Sequence, residues 1–146
     1  MSVNINELIS KKPTYDNYKL DSFSYNVSGG MDGSIHMIEL IPYKKEIIYT
    51  DQELDDKRKK VKKYKLSDED ISFFIDYINK YHLPDWTDIE KEEYFALDEP
   101  SKTLTFIYIK ENGYSEFYSV NSNIDVDIET YKIYREFIDK MKSYKK

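Results

Sequence analysis

Residues 24–37 read SYNVSGGMDGSIHM, and the fold turns on what their three glycines do. A phosphate-binding loop would follow its glycines with Lys-Ser/Thr and then a helix whose N-terminus faces the anion. Here Ser34 follows Gly33 with no lysine, and the flanks alternate. Phe23, Tyr25 and Val27 share one face of an extended segment, while Ile35 and Met37 fall opposite His36, Ile38 and Leu40. Period-two alternation on both sides of a glycine cluster predicts a β-hairpin. Glycine supplies the positive φ that tight turns require. Met31 and Asp32 then sit at an exposed loop tip, where contact residues are often placed.

On the N-terminal side, residues 4–10 predict a short helix that stops before Pro13. On the other side, Pro42-Tyr43-Lys44-Lys45 predicts a second turn and Glu46 to Tyr49 a third strand. Residues 51–65 fit either a polar helix or an exposed edge strand, with only Leu54, Val61 and Tyr64 as apolar anchors. Ser67 with Asp70 approximates a capping box. Ile71, Phe74, Ile75 and Ile78 mark a helical face that Tyr81 extends and Pro84 ends. An acid-rich loop runs from Asp85 to Glu99. Thr103–Lys110 and Ser115–Val120 predict a second hairpin around Asn112-Gly113. A last helix opens near Asp125 or Asp127, with the stripe Ile128, Tyr131, Tyr134, Ile138 and Met141. The order, roughly αββ(β)αββα, predicts an α+β fold with an antiparallel sheet of about four to five strands and helices packed on one face. A single domain is expected over residues 1–146.

Composition narrows the function classes. The 146 residues carry a formal net charge of −6, 15 tyrosines and no cysteine, with 2 arginines against 20 lysines. Without cysteine there are no disulfides and no thiolate metal sites. Two distant histidines, His36 and His82, do not make a zinc site, and no metal or cofactor is expected. Acidity and scarce arginine disfavour nucleic acid as a partner. No run approaches the ~20 apolar residues of a membrane helix, and residues 1–12 lack the pattern of a secretory signal. A cytoplasmic protein is the expectation.

Candidate catalytic groups are few. His36 and Glu39 fall on opposite faces of one strand, so Ser34, His36 and Glu39 do not form a triad. Charge segregation says more. Residues 57–65 hold seven bases and no acids, whereas 85–99 hold seven acids and one base. Asp85, Trp86, Asp88, Glu90, Glu92 and Glu93 combine the only tryptophan with carboxylates on one connecting segment. An aromatic anchor rimmed by charge is a common interface pattern, and acidic patches steer toward basic partners.

Three stretches also carry a resemblance. SYNVSGGMDGS, KLSDEDISFFIDYINKYHLPDW and DEPSKTLTFIYIKENG resemble small bacterial α+β proteins of unknown function. In these a glycine-rich hairpin precedes a helix ending in tryptophan and a second hairpin. The resemblance covers roughly residues 22–140; it implies a fold and no activity. The functional expectation is a non-enzymatic binding protein that neutralises another protein with a basic surface, an immunity protein against a toxin being the concrete form. A phage-encoded inhibitor of a host defence nuclease is the alternative within that class. A small hydrolase using carboxylates or His36 is the rival.

Overall fold

The computed structural model describes residues 5–29, 34–53, 58–88, 100–121 and 128–145. Six strands form one antiparallel sheet: β1 (Lys19–Gly29), β2 (Ile35–Ile41), β3 (Glu46–Gln52), β4 (Lys60–Lys65), β5 (Pro100–Ile109) and β6 (Ser115–Asn121). Their spatial order is β4-β3-β2-β1-β5-β6. Three α-helices accompany them: α1 (Ile5–Ile9), α2 (Asp68–Tyr81) and α3 (Ile128–Lys142). Among the described residues no helix is long and apolar enough to cross a membrane.

The glycine cluster joins two strands, as the alternation predicts. Phe23 pairs with Leu40 and Ser28 with Ile35. Met31 and Asp32 lie outside the described residues. The sheet has one strand more than the upper expectation, because residues 60–65 add β4 beside β3. This stretch lacks an apolar face; it is extended because β3 offers an unpaired edge for its backbone. Its four lysines, all exposed, suit an outermost strand, since charged side chains discourage further edge pairing.

A continuous row of inward side chains, Tyr64–Ile47–Leu40–Phe23–Phe106–Tyr118, crosses all six strands. Beside it runs Tyr49–Ile38–Tyr25–Leu104–Val120. The helices cover these rows. Phe74 of α2 and Phe137 of α3 meet Phe23 at ring-centroid distances of 5.6 and 5.4 Å, and Phe137 stacks on Phe106 at 6.2 Å. Tilted and offset aromatic pairs of this kind add to simple area burial.

Local chemistry sets the limits of α2. The Ser67 hydroxyl accepts from the Asp70 backbone N–H at 3.1 Å, and Asp70 accepts from the Ser67 N–H at 3.2 Å, so the capping box forms with aspartate in the usual glutamate place. The helix stops at His82, which takes a left-handed φ of 51°, before the 3-10 turn Leu83–Asp88. The C-terminal segment is pinned on both sides. Tyr144 donates to Asp70 at 2.8 Å, and Tyr49 of β3 donates to the Met141 carbonyl. Burial pushes the Tyr49 phenol up to about 12, so it remains a donor.

Asp70 therefore links a helix cap to the C-terminus. The Tyr144 hydroxyl, aided by Ser67 and Lys140 against a burial cost, holds its carboxyl below the ordinary carboxylate range. A carboxyl depressed in the folded state stabilises above its unfolded value, ~3.9, and that contribution is lost as pH falls through the folded value. Urea midpoints of the wild type should drop between neutral and strongly acidic pH more steeply than those of Asp70→Asn. Parallel pH profiles would show that Asp70 contributes no linkage.

Candidate functional site

Asp85 and Trp86 do not form a surface patch. Trp86 is 0 % exposed; its ring stacks on Tyr134 of α3 at 6.5 Å, and its indole N–H donates to the Tyr81 carbonyl at 2.8 Å. Asp85 is 5 % exposed and accepts from both the hydroxyl and the backbone N–H of Thr14, the latter at 3.0 Å. Together they close the end of α2 and tie it to the segment before β1. The expectation that they contact a partner is corrected for these two residues: the ring is taken up by Tyr134 of α3 while its N–H satisfies the end of α2, which leaves no indole surface outside. Glu90, Glu92 and Glu93 lie outside the described residues, as does the side chain of Asp88.

The sheet's second face presents a different surface. Alternation sends the odd-numbered residues of β2 and β5, and the even-numbered residues of the central part of β1, away from the aromatic core. No described helix contributes to this face. Met37, Thr50 and Val61 form one row on it, with Ile35 next to them; Ser22, Ile107 and Phe117 form a row at the far side. Ile35, Val61 and Phe117 are exposed by 46 %, 52 % and 64 %. Between these apolar ends lie Ser24, Asn26, Thr103 and Thr105.

On the helix-covered face, the row Val27–His36–Asp51–Lys60 lies at one end of the sheet, where the C-terminus of α3 leaves it accessible. Nδ1 of His36 is 2.7 Å from Oδ1 of Asp51, and Nε2 is 3.2 Å from the Ser34 hydroxyl. An ionised Asp51 requires the Nδ1–H tautomer, which leaves Nε2 free to accept from Ser34. Lys145 closes the cluster with a 2.6 Å contact to Oδ2 of Asp51. Burial pushes the Asp51 carboxyl up, but hydrogen bonds from Lys145 and His36 outweigh it and hold the group below its ordinary value. A cavity of about 270 Å³ adjoins the cluster, lined by His36, Asp51, Lys142 and Lys145 among others.

The opposite faces of His36 and Glu39 stand as the alternation required, but the acid beside His36 comes from the neighbouring strand. The register of the β2–β3 hairpin pairs Ile41 with Glu46 and so His36 with Asp51. That pairing was within reach of the turn at Pro42–Lys45, had the third strand been extended two residues past Tyr49. His82, the other imidazole, is buried at the end of α2. Among the described residues, no three His, Asp or Glu side chains are grouped as a metal ion would need.

A second, larger cleft opens where the chain enters β1. It holds about 730 Å³ between the Tyr15–Asp21 segment, the Pro42-Tyr43 turn, α2 and the end of β5. The register between β1 and β5 slips between Leu20 and Ser22 there, which leaves Asp21 as the extra residue of a β-bulge. The bulge explains why strict alternation starts only at Phe23. The chain matches no protein-family model, and a comparison with curated proteins found no match.

Proposed function

We propose that this protein acts by binding another protein, with an immunity protein that neutralises a toxin as the concrete form and an inhibitor of a defence nuclease as the alternative. The face of the sheet to which no described helix contributes carries this reading. It joins apolar groups at both ends, Ile35 and Val61 on one side and Phe117 on the other, to a hydroxyl- and amide-rich centre. Exposed apolar side chains alternating with polar ones match the mixed composition of a non-obligate interface. A net charge of −6 favours a basic partner surface, and Glu90, Glu92 and Glu93 are the acids proposed to meet it. With Trp86 buried, the apolar anchoring passes from that residue to the sheet.

The test is affinity capture from the native host with three tagged baits: wild type, Val61→Glu/Phe117→Glu, and Glu90→Lys/Glu92→Lys/Glu93→Lys. Both changed sites on the sheet are exposed, so stability should shift by no more than about 0.5 kcal/mol each. The expected result is a stoichiometric protein held by the wild type and lost with the sheet variant. The acidic variant should bind more weakly and with a smaller salt dependence. Equal capture by all three baits, or no partner for any of them, would remove this reading.

A hydrolase is the second reading, and the Ser34–His36–Asp51 contacts favour it. They reproduce the hydroxyl–imidazole–carboxylate relay of acyl transfer, in which the serine oxygen bonds to the acyl carbon, its proton passes to Nε2, and the leaving group takes that proton. It ranks second because Ser34 is 6 % exposed, and the adjoining cavity is lined by His36 and Asp51 rather than by Ser34. A fluorophosphonate probe separates the two roles. Labelling that disappears in Ser34→Ala would support the nucleophile; an unlabelled wild type would leave the cluster as a tether for the C-terminus.

A further inference from the structure

We propose that the cleft beside the β1 bulge is a binding site for a small aromatic amine. Its volume of about 730 Å³ falls within the ~300–1,000 Å³ of small-molecule pockets. Its floor is aromatic: Tyr15 and Tyr108 are both buried and stack at 5.0 Å, with an interplanar angle of 24°. Ile75 and Ile78 of α2 continue the apolar wall. The rings of Tyr15 and Tyr108 are spent on each other; the exposed ring of Tyr43, which also lines the cleft, is the one open to a flat cation.

Two independent features mark the cleft as more than a gap in packing. The first is the bulge. Asp21 has no partner across the β1–β5 ladder and lines the cleft, and bulges recur beside functional sites because they re-aim a side chain. Its carboxylate is partly buried and engages no hydrogen bond or ion pair among the described residues. The second is the open aromatic surface at the rim, where Tyr43 lines the cleft and is 67 % exposed.

The charges at the cleft select the sign of the ligand. Asp21 and Asp16 both line it, with Asp16 held by Lys12 at 3.3 Å. Lys19 and its register partner Ile109 line the rim of the same cleft, so one lysine stands beside the two carboxylates. A protonated amine on a ring would pair with Asp21 and lay its ring on that of Tyr43. With Asp16 paired to Lys12, Asp21 is the carboxylate left to choose the ligand's charge, and an anion would be repelled by it. This proposal is independent of the protein-binding reading, whose residues Ile35, Val61 and Phe117 do not line the cleft.

The test is an NMR titration of the ¹⁵N-labelled protein with three probes: tyramine, 3-(4-hydroxyphenyl)propionate, which replaces the amine by a carboxylate, and n-butylamine, which lacks the ring. Tyramine should move the amide signals of Asn17, Tyr18, Asp21 and Asn79 saturably. The other two should bind at least about tenfold more weakly, as should tyramine to Asp21→Asn. Should Asp21→Asn melt early, Asn79→Lys on the exposed side of α2 gives the same readout by placing an ammonium at the cleft. Equal binding of the carboxylate analogue, undiminished tyramine binding to a folded variant, or no saturable shift with tyramine up to its solubility limit would overturn the proposal.

Discussion

Trp86→Ala will lower the stability of this protein by about 3–5 kcal/mol, a fall in melting temperature of roughly 10 °C for a chain of this length. The indole is completely buried, stacks on Tyr134 and satisfies the Tyr81 carbonyl at the end of α2. Its removal opens a cavity and frees a carbonyl that water reaches poorly. Trp86→Phe keeps a ring in place but loses the N–H donor, and should cost about 1–3 kcal/mol. Thermal and urea melts measure both. If Trp86→Ala melted within about 2 °C of wild type, the indole would not be part of the core. Partner binding lost with this variant would report unfolding rather than a missing contact, so the sheet-face variants are the proper probes of function.

The second large effect falls at Phe137. Its ring lies 5.4 Å from Phe23, 5.6 Å from Phe74, 5.7 Å from Tyr77 and 6.2 Å from Phe106. One side chain of α3 thus touches α2 and the adjacent strands β1 and β5 together. Phe137→Ala should cost about 3–5 kcal/mol, whereas Ile138→Val, also buried, should cost about 0.5–1.5 kcal/mol. Since total stability of a domain is about 5–15 kcal/mol, the alanine variant will be marginal at physiological temperature. Equal costs for the two substitutions would show that the aromatic cluster is not the centre of the core.

Both hairpins and the two long helices were legible because each rests on local chemistry. Phe23, Tyr25 and Val27 alternate, Asn112-Gly113 marks a turn, and Ser67 with Asp70 caps α2. β4 is not legible between helix and strand, because a run of lysines carries no period of its own and becomes extended only beside β3. The site was less legible. Trp86 and its acids read as a surface because composition does not say which way a side chain points. Thr14, 71 residues before Asp85, supplies the hydrogen bonds that turn that carboxylate inward.

The chain's own pattern of apolar residues determined which segments other than β4 are extended or helical and which face of β1 and α2 is buried, since these depend on neighbours two to four residues away. On α3 the stripe is only partly right, Ile128 and Tyr131 being exposed and Phe137 buried. Only the tertiary structure decided that β1 lies beside β5, that Thr14 meets Asp85, and that Tyr15 stacks on Tyr108. Pairings at such separations cost loop-closure entropy, and whole-core packing repays it. They become visible only when all the elements are assembled.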